Sequence, residues 1–194
     1  SAGAPARGRL VLIDGHALAF RAYFALRRLS TSRGVPTNAV YGFVRALLDE
    51  LRHAKEQDRV VVAFDAPTRT FRHERFDGYK AQRPPAPADL PTQLRTIKHL
   101  VDLLGVPRLE QPGLEADDLI ATLATRAAAA GFEVEIVTSD RDALQLVSER
   151  VRVRTPDARR PLGPAEVEAK HGVRPEQWVD FRALTGDPSD NIPG

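Results

Sequence analysis

Carboxylates recur in this chain where chain elements should end or begin: L-I-D (Asp14), A-F-D (Asp65), L-E-A-D-D (Glu115, Asp117, Asp118), T-S-D-R-D (Asp140, Asp142) and G-D-P-S-D-N (Asp187, Asp190). Three of these acids directly follow an apolar strand-like run, and ligands of open α/β sheets bind beyond the carboxyl ends of the parallel strands. Gathered at one edge, these nine acids repel one another unless a cation sits among them. Two carboxylates ~6 Å apart repel by roughly 0.7 kcal/mol in water and by nearly ~3 kcal/mol at an effective dielectric of about 20. Several such pairs are a substantial fraction of a domain stability of about 5–15 kcal/mol. Hard oxygen ligands without His or Cys select Mg²⁺, Mn²⁺ or Ca²⁺ rather than zinc. Two such ions ~4 Å apart clamp the attacking and leaving oxygens of an in-line phosphoryl displacement.

Each acid taken alone has a plainer explanation. Glu115, Asp117 and Asp118 fall in the first turn of a helix, where the macrodipole favours negative charge. Asp140 can cap a helix with Asp142 behind it, and Asp187 and Asp190 can be Asx-turn residues. Asp14 and Asp65 can be strand-end turn residues. Capping needs one acid per helix start, however, and here several crowd each one.

The elements that must position these acids alternate in type. Arg9–Asp14 reads as a buried strand, followed by a helix from about His16 to Leu29. Thr37 or Asn38 can cap a second helix that reaches about Lys55. Arg59–Asp65 is a strand whose continuous Val/Ala/Phe run suits burial on both faces. Leu94, Ile97, Val101 and Leu104 have helical spacing, closed by Gly105. A short strand at Pro107–Gln111, an Ala/Leu-rich helix over Glu115–Ala130 and strands at Glu133–Thr138 and Val151–Arg154 follow, with a short helix at Arg141–Val147 between the two strands. Pro164–His171 and Pro175–Thr185 are helices started by proline. The alternation predicts an α/β fold with a largely parallel, doubly wound sheet.

Thr68–Pro91, with Pro84, Pro85 and Pro87, is too long for an ordinary connection and reads as a lid or insertion. It carries Arg69, Arg72, His73, Arg75, Lys80 and Arg83 against Glu74 and Asp77, so a base-rich segment stands beside an acid-rich edge. That pairing suits a metal-dependent enzyme acting on a polyanion, although the net charge is only +2. At 194 residues, 42% apolar and 28% charged, the chain is one globular domain, with no run near the ~20 apolar residues of a membrane span. Without cysteine, disulfides and zinc–thiolate sites are excluded. There is no G-x-x-x-x-G-K-[ST] loop, no G-x-G-x-x-G after the first strand and no G-x-S-x-G elbow. Residues 1–8 read as a flexible tail, and both ends read as cut points.

Whole phrases then carry a resemblance: V-L-I-D-G-H-A-L-A-F-R, N-A-V-Y-G-F, F-D-A-P-T-R-T-F-R-H-E, Y-K-A-Q-R-P-P, G-L-E-A-D-D-L-I-A-T-L-A, T-S-D-R-D-A-L-Q-L-V and R-A-L-T-G-D-P-S-D-N-I-P-G. In this order they resemble the 5′-nuclease domain of bacterial DNA polymerase I, within the flap endonuclease group, from about Arg9 to Gly194. The resemblance implies a PIN-like 5′-nuclease fold over 9–194, with an arch at about 68–90 and C-terminal helices and an acidic loop over 156–194. It implies Mg²⁺-dependent hydrolysis (two ions, with Mn²⁺ as substitute) of a phosphodiester near a 5′ flap or 5′ end. It further implies a monomer in the bacterial cytoplasm and nucleoid, fused to or working with a DNA polymerase, which removes RNA primers from RNA–DNA hybrids and trims flaps.

By match to the family motifs, Asp14, Asp65, Glu115 and Asp117 surround one ion. Asp140, Asp142 and Asp187 hold the other, with Asp118 and Asp190 nearby or acting through water. Lys80 and Arg83 match positions that contact the scissile phosphate, Tyr79 is a stacking residue, Arg72 a further nucleic-acid contact and Arg21 a basic residue facing the site. His16 reads as structural. The family's next element, a glycine-rich helix–hairpin–helix that grips duplex DNA, lies beyond Gly194, so the loop with Asp187 and Asp190 is expected to be poorly ordered. Two rival readings are a PIN-type single-strand nuclease and a DNA-binding module without catalysis.

Overall fold

A computed structural model describes residues 8–194. Five strands, β1 (Arg9–Asp14), β2 (Arg59–Ala63), β3 (Arg108–Leu109), β4 (Glu133–Val137) and β5 (Val151–Arg154), form one sheet in the order β3-β2-β1-β4-β5. Every pairing is parallel, with Leu12 opposite Val61 on one side and Ile136 on the other. The chain runs outward from β1 through β2 to β3, then returns to β4 on the opposite side of β1. The order therefore reverses at the centre, between β1 and β4. This is the crevice in which open α/β sheets bind ligands.

The alternation along β1 splits the core in two. Leu10 and Leu12 point to one face and join Val61, Ala63, Val134, Ile136 and the helix α5 (Ala116–Ala129). Val11 and Ile13 point to the other and meet Val60, Val62, Phe43 and Leu47 of α2 (Asn38–His53), and Ile97 and Val101 of α4 (Leu90–Leu103). Both faces are covered, which is why β1 and β2 are apolar without alternation. α6 (Pro164–His171) and α7 (Trp178–Thr185) lie on the α5 side, where Val167 and the fully buried Trp178 anchor them. No helix among the described residues is long and apolar enough to cross a membrane.

Several boundaries differ from those expected. α1 spans Gly15–Ala25 rather than reaching Leu29, because Leu26 is already extended and Ser30 bridges Pro36 around a tight turn. Leu104 is exposed, and the α4 stripe is completed instead by the buried Gln93, whose side chain binds the Ala39 N–H. Residues 141–146 form a 3₁₀ turn, and Pro175–Gln177 is a separate 3₁₀ turn before α7. The tail expected over 1–8 lies outside the described residues except for Gly8, whose carbonyl already accepts the Glu133 N–H at the sheet's end.

The turn from β1 into α1 is tightly fitted. A Cβ on Gly15 would stand 2.4 Å from the ring of Phe64, which is fully buried and stacks on Phe43. Phe64 immediately precedes Asp65, so this contact sets the spacing between two acid-bearing turns. Gly15→Ala is expected to destabilise the fold by about 1–3 kcal/mol through overpacking. At about 2–4 °C per kcal/mol for a domain of this size, the loss is readable by thermal melting, and an unchanged melting temperature would refute the contact.

Candidate metal centre

The ends of β1, β2 and β4 and the start of α5 bring Asp14, Asp65, Glu115, Asp117 and Asp140 into one open cleft of about 560 Å³, together with Asp187. Lys80, Arg83 and Arg182 line the same cleft. Asp118, Asp142 and Asp190 line a neighbouring depression that shares Glu115, Asp117 and Asp140 with the first. All nine acids singled out in the sequence therefore meet at the carboxyl edge of the sheet.

The innermost acid is Asp14. It caps α1, accepting the Ala17 N–H on Oδ1 at 2.9 Å and the Thr138 hydroxyl on Oδ2 at 2.9 Å. Thr138 in turn accepts the Asp140 N–H, which ties the β1 and β4 ends together across the switch point. Burial pushes the Asp14 carboxyl up to about 6 against those two hydrogen bonds, and the charges of Asp65 and Asp140 add to the rise. Asp117 departs further, to about 8, through burial and then the charges of Asp14, Asp140 and Asp65. Asp65 faces the cleft with Oδ1 held by the Ala116 N–H at 2.6 Å. His16 accepts the Asp65 N–H on Nδ1, packs edge-on against Phe64, and burial lowers its pKa, so it is a neutral structural residue, as expected.

The other five acids face protein cations. Glu115, the buried N-cap of α5, accepts from Lys80 Nζ at 2.9 Å and from the Tyr79 hydroxyl at 3.0 Å. Asp118 takes both arms of Arg72 at 2.8 Å, which holds its carboxyl below the usual range. Asp190 pairs with Arg83. Asp142 and Asp187 share Arg182, through Nε at 2.8 Å and Nη2 at 2.5 Å respectively. Burial and the Asp140 charge raise the pKa of Asp142 despite Arg182. Burial acts the same way on Asp187, but hydrogen bonds from Ser189 and Arg182 bring its carboxyl below the usual range. Among the described residues, no three acids stand around one point as a ready cage for an ion.

Some predicted site residues take other places. Arg21 does not face the acids: it pairs with Asp157 at 2.7 Å and lines a separate depression with Tyr41 and Arg45. Tyr79 is buried, its ring edge-on to His73 and its hydroxyl bound to Glu115, so it offers no free face for stacking. The exposed aromatics of the arch are Phe71 and Phe76. Phe71 lies on α3 (Phe71–Arg75), a short helix inside the expected insertion. Lys80 adopts a left-handed backbone (φ 56°), uncommon for a residue with a side chain. The loop with Asp187 and Asp190, expected to be poorly ordered, is closed by a bridge between Asp187 and Ile192. It is also bound to the arch by Lys80 N–H to Asp190 O and Asn191 Nδ2 to Gly78 O.

Sequence reasoning missed Arg182 and Thr138. The signal for Arg182 was a lone base five residues before Asp187, on a helix otherwise read only for its proline start.

The raised carboxyls have a consequence for stability. In the metal-free fold, Asp14 and Asp117 keep protons that the unfolded chain releases near pH 4, so stability falls as pH rises from about 4 to about 8. Asp117→Asn removes the larger contribution. Melts in EDTA should show a wild type less stable at pH 8 than at pH 5, and a variant with a flatter profile that melts several degrees above it at pH 8. Identical profiles would refute the crowding.

The chain matches the family described as 5′-3′ exonuclease, N-terminal resolvase-like domain, over residues 9–172. It is 57% identical over 188 residues to the thermostable DNA polymerase I of Thermus thermophilus, covering 97% of this chain and 22% of that protein. DNA polymerase I of Deinococcus radiodurans is 58% identical over 185 residues, covering 95% and 19%. A 5′-3′ exonuclease of Aquifex aeolicus is 46% identical over 185 residues, covering 95% and 64%. The chain thus spans about a fifth of the length of the polymerases it matches. Among solved structures, the T5 D15 protein co-crystallised with metal ions matches with a TM-score of 0.74 at 24% identity, over 96% of this chain and 69% of that one, and shares the fold. The phage T5 D15 flap endonuclease in a pseudo-enzyme–product complex with DNA and metal ions matches at 25% identity and a TM-score of 0.73, over 96% and 69%. With a family match over most of its length and a wholly parallel sheet whose acids meet at the carboxyl edge, the chain belongs to the 5′-3′ exonuclease family, in its N-terminal resolvase-like domain.

Proposed function

We propose that this domain hydrolyses phosphodiesters of DNA, or of an RNA primer on DNA, at 5′ flaps and 5′ ends with two divalent metal ions, and that it works beside a DNA polymerase. The observation that carries this reading is the inner quartet, Asp14, Asp65, Asp117 and Asp140. Burial, and then the charges of Asp14, Asp140 and Asp65, raise Asp117 to about 8, and the four acids lie in the same cleft as Lys80 and Arg83. The donor set fits a hard cation: it is all oxygen, and the adjacent His16 uses Nδ1 to hold the Asp65 backbone. On this reading Asp14, Asp65, Glu115 and Asp117 hold one ion and Asp140, Asp142 and Asp187 the other, with Asp118 and Asp190 alongside. Mg²⁺ is the proposed ion and Mn²⁺ its substitute. When bound, such ions lower the pKa of a water and neutralise charge that grows on the phosphate.

The chain's own residues supply the rest. Thr138 and the Ala17 N–H fix the Asp14 carboxylate, and the Ala116 N–H fixes that of Asp65, so the inner acids are oriented before anything binds. Lys80 and Arg83 enter the cleft from the arch and are its phosphate-binding cations. Lys80 sits on Glu115, so a phosphate in the cleft takes it over by competition between two anions. Tyr79 and Arg72 hold the arch down on Glu115 and Asp118, and their contact with nucleic acid follows only when those bonds open.

Cleavage of a 5′-labelled flap, compared with an unstructured strand, tests the reading. Cutting near the junction is expected with Mg²⁺ or Mn²⁺, and none with EDTA or in Asp140→Ala. Equal cutting of the unstructured strand would favour a single-strand nuclease, and no cutting of either would refute catalysis by this chain. A hundredfold excess of metal over its Kd should stabilise the fold by about 2.7 kcal/mol. Lys80→Ala should lower the single-turnover rate more than it weakens DNA binding, and equal losses would reduce Lys80 to a general phosphate contact.

A further inference from the structure

Four cations meet the outer acids, and three of them, Arg72, Lys80 and Arg83, come from the arch. The fourth differs in origin and geometry. Arg182 belongs to α7, on the same helical face as Trp178 one turn earlier, and Trp178 is fully buried in the core. Its guanidinium does not bind one carboxylate with two arms, as Arg72 binds Asp118. Nε goes to Asp142 Oδ1 at 2.8 Å and Nη2 to Asp187 Oδ2 at 2.5 Å. Asp142 lies on the 3₁₀ turn after β4 and Asp187 on the loop after α7, so one planar group spans two elements that share no backbone pairing.

The remaining oxygens are ordered as well. Asp187 Oδ1 accepts the Ser189 N–H and hydroxyl, at 2.9 and 2.7 Å, while Asp142 Oδ2 accepts no hydrogen bond from the described residues. Arg182 is only 24% exposed, so it is held in place. The bridge also leaves the pair with one negative charge in excess, beside Asp140. An exposed ion pair contributes about 0–1 kcal/mol to stability, which gives little reason for a guanidinium shared between two half-buried acids.

We propose that Arg182 is a positioning residue: its bridge holds Asp142 and Asp187 together as one pair for the second divalent ion. This deepens the metal-dependent reading above and rests on it. The arch cations yield to phosphate, whereas Arg182 is anchored by the core and stays in place. Partners that orient metal-binding carboxylates in this way typically change metal affinity by about 10–100-fold when removed.

Mn²⁺ binding to the whole chain without DNA, followed by calorimetry and by the EPR signal of free Mn²⁺, tests this apart from activity. The wild type should bind two ions. Arg182→Ala should keep the tighter site and weaken the other by about 10–100-fold. Arg182→Lys keeps the charge but not the planar fork, so it should also weaken that site, and it carries the test if the alanine variant does not fold. Wild-type protein that binds no Mn²⁺ would defeat the metal reading itself. Two wild-type sites, both unchanged or tighter in the variants, would overturn the proposal and make Arg182 a cation that merely stands in for metal. Full recovery by lysine would likewise overturn the bridging geometry. In the nuclease assay, the Mn²⁺ concentration for half-maximal rate should rise while the rate at saturating Mn²⁺ recovers. Weaker DNA binding with unaltered Mn²⁺ affinity would identify a phosphate contact instead.

Discussion

Repulsion among the carboxylates at the switch point is the constraint on which the rest of this structure depends. Asp14, Asp65, Asp117 and Asp140 converge on the ends of β1, β2 and β4 and the start of α5, and among the described residues no lysine or arginine forms an ion pair with any of them; His16, within 3.5 Å of Asp65, is neutral. Burial first, and their mutual charge in addition, raise the carboxyls of Asp14 and Asp117. A sheet buried on both faces, with one core on the α5 side and another on the α2 and α4 side, is stiff enough to hold these groups in place. The acid edge is thus supported by apolar packing that contains none of its chemistry.

Around this quartet the charge is nearly balanced. Glu115, Asp118, Asp142, Asp187 and Asp190 face Lys80, Arg72, Arg182 and Arg83. Three of those four cations come from the arch, so the segment that would meet the polyanion is also the one that neutralises the outer acids. The arch and the loop of Asp187–Ile192 close over the same cleft and are bound to each other through Gly78, Lys80 and Arg83. Any ligand that draws Lys80 or Arg83 away also changes the charge felt by Glu115 and Asp190, which couples substrate and acid cluster without a separate device.

Much of this was legible in the sequence because apolar runs and turn acids are local signals. β1 and β2 follow from continuous apolar stretches and β4 and β5 from short Val-bearing runs interrupted by charged residues, and the carboxyl edge follows from acids placed at or just behind the ends of β1, β2 and β4. What was not legible depends on distant partners. Arg21 looked like a site residue by its match to a family position, yet Asp157, far along the chain, captures it. Tyr79 looked like a stacking residue, but burial over Glu115 uses its hydroxyl and covers its ring. The end of α1 and the exposure of Leu104 were set by a turn and by the packing of Gln93, neither of which helical spacing records.

The sequence also posed a choice that the geometry dissolves. Helix capping and site formation looked like competing explanations for each acid, yet Asp14 is at once the N-cap of α1 and the innermost acid of the cleft. Asp140 likewise accepts the Asp142 N–H at the start of its 3₁₀ turn while facing Asp14 and Asp117. Asp118 accepts the Glu115 N–H while taking the fork of Arg72. A backbone N–H at a helix start uses one oxygen and fixes the rotamer. It also orients the carboxylate toward the space beyond the helix end, which here is the crevice at the switch point. Capping is thus the means by which this chain holds several acids in one orientation, and crowding at a helix start, rather than the presence of an acid there, is the feature that separates a site from a cap.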